Sequence, residues 1–189
     1  MGFIYQPGQE RQIKPGDKRG RWNCGPTTGA VFIDRATLGG VMVDAADVRL
    51  ASDEPIPDPD NPGPSPGLNI KQLAAAIRTF GVEVTLGRPT DTFDDVLDRL
   101  REGRCVTISG VGAALGKDTC QPGFTGPHQI LLNNLSSDGQ KIAVYNPLCS
   151  NRRYLAVATV RRYAEAFAKL TGSLAYAYSR VTPNVSKPS

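Results

Sequence analysis

The chain has 189 residues, of which 40% are hydrophobic, and it carries a formal net charge of +4 at pH 7. This length predicts a single globular domain over residues 1–189, because it can bury a real core but is short for two domains. The two ends are basic and the middle is acidic, which favours anionic partners such as wall polymers, nucleic acid or lipid headgroups without choosing between them. No aromatic-rich basic motif is present, so we expect no nucleic-acid partner.

The N-terminal residues do not resemble a secretory signal. Residues 1–7 lack a charged start followed by an apolar stretch, and no apolar run approaches the roughly 20 residues of a membrane span. We therefore expect a chain made in the cytoplasm without a signal peptide, and no membrane span.

The chain has four cysteines and one histidine, and no two cysteines form a CxxC pair. We therefore expect no zinc or other metal site and no cofactor. Without a secretory signal we also expect no disulfide framework, although pairing of Cys120 with Cys149 is left open. Cys105 lies in an apolar run that predicts a buried strand.

Residues 1–21 contain prolines and glycines among charges and predict an extended arm. The first helix is predicted from Cys24 to about Leu38, with Pro26 in its first turn and apolar residues at helical spacing. Residues 52–67 carry six prolines and several acidic residues, which predicts a Pro-rich surface loop. The last residues, 182–189, predict a flexible tail.

Helices and strands alternate after this loop, and strands dominate the second half. Helices are predicted from Asn69 to Gly81, from Thr92 to Gly103 and over 159–170, and strands over 82–86, 104–109, 128–133, 141–146, 154–158 and 173–181. Ser136 to Gly139 predicts the turn of a hairpin between the third and fourth of these strands. The pattern predicts an α+β domain with N-terminal helices packed on a C-terminal antiparallel sheet.

A glycine-rich run, residues 110–117, superficially suggests phosphate binding. It lacks the first glycine of a P-loop and has Asp118 where Ser or Thr is required. The dinucleotide-binding glycine spacing fails as well. We interpret the run as a mobile loop that borders a cleft.

Three residues form a candidate catalytic set. Cys24 begins a helix, where backbone N–H groups and the helix dipole lower a thiol pKa, and Arg19 and Arg21 lie close before it in the chain. His128 is the only imidazole available as a base, and a lone histidine at the start of an apolar strand is more often structural. The predicted hairpin brings Asn146 beside His128, where its carbonyl could fix the ring tautomer.

These residues resemble the papain-like cysteine peptidases of the bacteriocin-leader-processing type, which many bacteriophage lysins also carry. The matching pieces are Asn23-Cys24-Gly25-Pro26-Thr27-Thr28, Gly126-Pro127-His128 and Tyr145-Asn146-Pro147, over about residues 9–150. The resemblance implies the papain-like peptidase fold. It also implies the catalytic roles of Cys24 as nucleophile, His128 as base and Asn146 as orienting residue, with the Cys24 sulfur within hydrogen-bond reach of one ring nitrogen.

The resemblance also implies an oxyanion hole and a substrate cleft. The family places a glutamine about six residues before the cysteine, where this chain has Lys18, so Gln12 or Gln9 would have to serve beside the backbone N–H of Cys24. Trp22, Asn23 and Gly126 are candidates for the cleft, and Trp22 fits a core position equally well. The family often has Asp in place of Asn146.

The function implied by the resemblance is a cysteine peptidase whose substrate is a peptide or peptidoglycan. A peptidase without a transporter segment or ATP-binding domain resembles a bacteriophage endolysin module, which acts at the bacterial cell wall and can work beside a separate wall-binding or glycan-hydrolase chain. Two alternatives stay open. One is an intracellular cysteine hydrolase or transferase with a protein substrate, and the other is a non-catalytic phage structural or binding domain on the same fold.

Overall fold

A computed structural model of the chain describes residues 23–53, 67–121, 123–149 and 152–180. The described helices are α1 (Cys24–Ala36), α2 (Ala45–Ala51), α3 (Ile70–Thr79), α4 (Phe93–Arg101) and α5 (Val157–Thr171), and a 3₁₀ helix covers Gly112–Thr119. The strands are β1 (Val84–Leu86), β2 (Val106–Val111), β3 (Pro127–Leu135), β4 (Lys141–Tyr145), β5 (Arg153–Ala156) and β6 (Tyr176–Ser179).

The six strands form one sheet in the order β1-β6-β2-β3-β4-β5. Every neighbouring pair is antiparallel. The predicted hairpin is present as β3 and β4, and Tyr145 lies opposite Leu131. Strand β3, which begins next to His128, therefore occupies a central position in the sheet.

Helices cover both faces of the sheet. Alternate strand residues point to opposite faces, and they divide between two buried clusters. Ile130 and Leu132 pack with residues of α4 and α5, whereas Leu131 packs with residues of α1, α2 and α3. The α+β class is confirmed. The N-terminal helices α1, α2 and α3 pack on one face of the sheet, and α4 and α5 lie on the other.

The predicted helix starts agree with the observed caps. Asn69 caps α3, where its side chain accepts the N–H groups of Lys71 and Gln72, and Thr92 precedes α4. Helix α2 was missed. It has only seven residues, too short for an apolar period, and its sequence indicator was the pair Asp44 and Asp47, which forms a capping box.

The predicted arm over 1–21 and tail over 182–189 lie outside the described residues, as does most of the Pro-rich loop predicted over 52–67. In the parts of the chain that the structure describes, no helix combines the length and the apolar character needed to cross a membrane.

A disulfide joins Cys120 to Cys149, with their Cα atoms 5.2 Å apart, a usual separation for such a bond. The pairing that the sequence left open is therefore present. The cysteines are 29 positions apart in the chain, and the fold brings the end of the 3₁₀ helix against the segment that follows β4. The spacing of the two cysteines alone could not show this.

The glycine-rich run is regular secondary structure, so its interpretation as a loop is wrong. Gly110 and Val111 end β2, and residues 112–117 belong to the 3₁₀ helix. A Cβ at Gly110 would overlap the Tyr163 ring, and one at Gly112 would overlap the Phe124 ring. These glycines therefore allow two aromatic rings to approach the backbone at the end of β2, opposite the start of β3.

Candidate active site

Cys24 is the first residue of α1, and the residue as a whole is partly exposed. Pro26 suits the first turn because its missing N–H needs no partner there. The helix then packs by a buried face that includes Phe32 and Ile33. Thr28 ties the first turn to the sheet, since its Oγ1 donates to the carbonyl oxygen of Gln129 at 3.1 Å. The fold thus places the Cys24 thiol beside the N-terminal end of β3.

His128 and Asn146 form the hydrogen bond that the hairpin predicts. His128 Nε2 lies 2.8 Å from Asn146 Oδ1, and both side chains are buried. The register of β3 and β4 places Tyr145 opposite Leu131, so Asn146 reaches His128 diagonally across one face of the sheet.

The orientation of the Asn146 amide assigns the imidazole tautomer. Asn146 Nδ2 donates to the carbonyl oxygens of Asp118 at 3.2 Å and Thr119 at 3.4 Å, and Oδ1 accepts the N–H of Leu148 at 3.0 Å. Oδ1 therefore faces the ring and accepts from Nε2, which carries the proton. Nδ1 of the neutral ring is left with a lone pair that can accept a proton.

The second ring nitrogen is buried and has no hydrogen-bond partner among the described residues. The structure thus contains no hydrogen bond between Cys24 and His128, although Gln129, the next residue on the strand, contacts the first turn of α1. The expected contact of His128 with Asn146 is present, and the expected hydrogen bond from Cys24 is not.

Two aromatic side chains hold the imidazole in place. The Phe124 ring meets the His128 ring edge to face, with centroids 5.2 Å apart. The Tyr163 hydroxyl donates to the backbone carbonyl oxygen of His128 at 2.6 Å. The sequence does not indicate either residue, because nothing in their local pattern distinguishes them from core aromatics.

Burial dominates the titration of both candidate catalytic groups. It lowers the pKa of His128 to about 4, and the hydrogen bond to Asn146 offsets only part of that effect. Burial also raises the pKa of the Cys24 thiol, against the lowering influence of the backbone N–H groups of Gln129 and Gly25 and of the Arg49 charge. The expectation of a lowered Cys24 pKa is therefore wrong, because desolvation outweighs the helix terminus. At neutral pH the Cys24 thiol and the His128 imidazole are therefore both uncharged.

Arg49 of α2 is a further polar residue of the site that the sequence did not indicate. It is 3% exposed, and its Nη2 donates to Asn23 Oδ1 at 3.0 Å. Asn23 occupies the N-cap position of α1 but makes no side-chain cap hydrogen bond. Its oxygen is directed to Arg49 instead of to the N–H groups of the first turn.

The remaining predicted site residues are placed as follows. Gln9, Gln12, Arg19, Arg21 and Trp22 lie outside the described residues. Gly126 directly precedes β3, and its carbonyl oxygen accepts the N–H of Gly112 at 2.9 Å.

The described residues contain no group of three or more His, Cys, Asp or Glu side chains that could hold a metal ion. Cys105, the other free cysteine, is buried, and desolvation raises its pKa to about 11. Cys24 is thus the more accessible of the two free thiols.

No family model and no curated protein matches the chain. Among solved structures, the chain is similar to a Bacillus anthracis protein described as a "putative C39-like peptidase". The two are 12% identical, with a TM-score of 0.58, and the match covers 85% of this chain and 90% of that one. At this identity the similarity establishes the fold, which is that of a C39-like, papain-like peptidase.

Proposed function

We propose that the protein is a cysteine peptidase that uses Cys24, His128 and Asn146, and that it acts as a bacteriophage endolysin module on the peptides of bacterial peptidoglycan. The observation that carries the catalytic part is the orientation of His128. Asn146 holds Nε2, and Nδ1 is buried without a hydrogen-bond partner among the described residues. An imidazole fixed at one nitrogen and open at the other is suited to act as a general base.

The proposed reaction starts from a neutral Cys24 thiol and a neutral His128 imidazole. Nδ1 of His128 takes the thiol proton of Cys24 as the sulfur attacks the carbonyl carbon of a bound peptide. The imidazolium then gives this proton to the leaving amine, which departs and leaves a thioester on Cys24. His128 next takes a proton from water, which attacks the thioester and expels the Cys24 thiolate. The imidazolium returns this proton to the sulfur, and the acid product leaves as a carboxylate after losing its own proton to solvent.

Asn146 and the backbone have separate roles in this scheme. The Asn146 carbonyl keeps the ring from turning and stabilises the imidazolium that forms in each half-reaction. The backbone N–H of Cys24, at the N terminus of α1, is the first proposed donor to the oxyanion of the tetrahedral intermediate. Gln12 or Gln9 remains the proposed second donor.

The cell-wall substrate is supported by charge. Arg152, Arg153 and Arg162 are exposed on β5 and α5 or directly before them, and a basic surface favours an anionic wall polymer. A separate wall-binding or glycan-hydrolase chain would supply any targeting that this surface does not.

One observation favours a non-catalytic domain on the same fold. The Cys24 pKa is raised, and no hydrogen bond joins its thiol to His128, as expected of an inert thiol. The two functions can be distinguished by hydrolysis. A peptidase cleaves its substrate and loses this activity when Cys24 is replaced, whereas a non-catalytic domain cleaves nothing.

The test measures amines released from purified peptidoglycan by the wild type and by Cys24→Ala and His128→Ala, with Cys105→Ala as the matched thiol control. We expect release by the wild type and Cys105→Ala only. No release from peptidoglycan together with cleavage of a protein substrate that needs Cys24 would indicate the intracellular hydrolase instead. Equal release by all variants would contradict the catalytic assignment.

A further inference from the structure

The disulfide between Cys120 and Cys149 joins the two segments that hold Asn146. The Asn146 side chain donates to the carbonyl oxygens of Asp118 at 3.2 Å and Thr119 at 3.4 Å, and these residues directly precede Cys120. In the second segment, the N–H of Cys149 donates to the backbone carbonyl oxygen of Asn146 at 2.8 Å. The disulfide therefore connects both sets of contacts around the amide that fixes the imidazole tautomer.

The first of these segments ends in a strained backbone conformation. Cys120 has a φ of 62°, in the left-handed region where a residue other than glycine is strained and which persists when the surrounding structure imposes it. The Thr119 hydroxyl donates to carbonyl oxygens within the same segment. The ion pair between Asp118 and Arg153 spans 3.7 Å and is partly exposed, so it adds little. Opening the disulfide would remove a constraint from this segment, and the strain at Cys120 then favours its relaxation.

Reduction would also place new hydrogen-bond donors next to a carbonyl that Asn146 uses. The Asp118 carbonyl oxygen lies 3.7 Å from Cys149 Sγ and 3.8 Å from Cys120 Sγ. A disulfide sulfur carries no proton, whereas a thiol has an S–H that donates weakly. The two sulfurs must also separate once they are no longer bonded to each other. Both changes act on the carbonyl groups that accept from the Asn146 amide.

We propose that the Cys120–Cys149 disulfide is a redox switch for the site: with the bond formed, Asn146 holds His128 in one tautomer, and reduction releases both side chains and lowers activity. Asn146 is the described hydrogen-bond partner of the imidazole, so its release leaves the ring free to turn. The effect on activity rests on the proposed function, whereas the effect on the His128 ring does not. Such a switch would keep a peptidase inactive in reducing surroundings and active in oxidising ones.

The exchange needs an external dithiol as the reductant. One of its thiolates attacks the sulfur of Cys120, the more exposed residue of the pair, because Cys149 is only 2% exposed. The bond between the two protein sulfurs breaks, and Cys149 leaves as a thiolate that takes a proton from water. The second thiol of the reductant then attacks the mixed disulfide, releases Cys120 as a thiol and completes the reductant's own disulfide. Two electrons pass from the dithiol to the protein, and an oxidised dithiol reverses the reaction.

The first experiment follows the His128 ring by ¹⁵N NMR of protein labelled at histidine. His128 is the only histidine, and the Cys24→Ala/Cys105→Ala variant of the full chain keeps Cys120 and Cys149 as its only cysteines. Spectra are recorded at about pH 8, where the ring is neutral both at its folded pKa of about 4 and at the ordinary value of about 6.5. The protein is equilibrated with oxidised or with reduced dithiothreitol, and circular dichroism of each sample shows whether it is folded.

We expect one protonated and one unprotonated ring nitrogen in the oxidised protein. In the reduced protein the two signals should move toward each other, because a ring that has lost its partner exchanges between tautomers. Replacing Cys120 and Cys149 by serine should reproduce the spectrum of the reduced protein. Adding Asn146→Ala should give the same averaged signals in both redox states, since the disulfide then has no amide to position.

The second experiment measures hydrolysis of purified peptidoglycan by the Cys105→Ala protein in the same two redox states. Alkylation followed by mass spectrometry verifies that Cys24 is a thiol in both samples and that Cys120 and Cys149 are thiols in the reduced one alone. We expect hydrolysis to fall at least about 10-fold on reduction, as for the loss of an orienting residue, and to recover on reoxidation.

The proposal is overturned if the reduced and folded protein keeps the ring signals of the oxidised one, or if reduction unfolds the whole chain. It is also overturned if hydrolysis is equal in the two redox states while the ring signals change. Hydrolysis in neither state, together with ring signals that respond to reduction, would contradict the proposed function and support control of His128 by the disulfide.

Discussion

Asn146 binds His128 with its carbonyl oxygen, at 2.8 Å from Nε2, because its amide nitrogen is committed to two backbone carbonyls. Oδ1 also accepts the N–H of Leu148, so both lone pairs and both N–H groups of the amide are used. The side chain cannot turn over without breaking these bonds, and the imidazole tautomer is fixed as a consequence.

Asn146→Asp is expected to impair the protein, although related peptidases often have Asp at this position. A carboxylate would face the carbonyl oxygens of Asp118 and Thr119 with no proton to donate. We expect a loss of about 1–3 kcal/mol in the free energy of unfolding and a fall of at least about 10-fold in kcat. Denaturant unfolding and the hydrolysis assay measure the two effects. Asn69→Asp is the control, since Asp serves equally well as an N-cap, and equal stability of the two variants would contradict the prediction.

The stability of the protein should fall as the pH drops from about 6.5 to 4, through one identifiable group. His128 titrates near 6.5 when unfolded and has a pKa of about 4 in the folded protein. Between these values the unfolded chain binds more protons, so the free energy of unfolding decreases with falling pH, by up to about 3 kcal/mol. His128 is the only histidine, and His128→Gln should remove this part of the dependence. The test is urea unfolding at several pH values, and an unchanged slope in His128→Gln would show that His128 is not the group responsible.

The Cys120–Cys149 disulfide should matter for both stability and activity. It closes a loop of 29 residues, which corresponds to about 3–4 kcal/mol in the chain-entropy model. The disulfide also joins two segments that contact Asn146. Cys120 follows Asp118 and Thr119, whose carbonyl oxygens accept from the Asn146 side chain, and the N–H of Cys149 donates to the backbone carbonyl oxygen of Asn146 at 2.8 Å.

We therefore expect the Cys120→Ser/Cys149→Ser double variant to unfold at lower urea concentration and to lose kcat more than KM. Cys105→Ala is the control, because Cys105 forms no disulfide. The measurements are unfolding and steady-state kinetics with the Cys24 thiol kept reduced in every sample. Retention of the full kcat in a folded double variant would show that the disulfide does not position Asn146.

Gly110→Ala should destabilise the protein because the added Cβ would overlap the Tyr163 ring. Tyr163 must shift to relieve the overlap, and its hydroxyl would then lose the hydrogen bond to the His128 carbonyl. Overpacking of this kind costs about 1–3 kcal/mol. Gly67→Ala is the control, since a Cβ there meets no atom within 4 Å. Thermal unfolding compares the two, and a Gly110→Ala variant as stable as Gly67→Ala would rule out the close packing.

Much of the local structure could be predicted from the chain because it depends on short-range patterns. Asn69 and Thr92 mark helix starts, and Ser136 to Gly139 marks the turn of the β3–β4 hairpin. The hairpin in turn predicted the His128–Asn146 contact, which the structure confirms. The alternation of apolar residues in the strands also predicted the α+β class.

Other features depend on contacts between distant parts of the chain. The sequence did not show that Cys120 meets Cys149, that α4 and α5 cover the second face of the sheet, or that the short helix α2 brings Arg49 to Asn23. No local sequence pattern encodes these long-range contacts, since they depend on how the helices pack on the two faces of the sheet.

The protonation of Cys24 and His128 shows most clearly what the sequence determined and what the tertiary structure determined. The sequence by itself determined which groups are present: a cysteine at a helix start, a single histidine and an asparagine across a hairpin. Only the tertiary structure decided their charge, because desolvation depends on every atom packed around a group. Burial raises the pKa of Cys24 and lowers that of His128, which reverses the expectation drawn from the helix terminus alone.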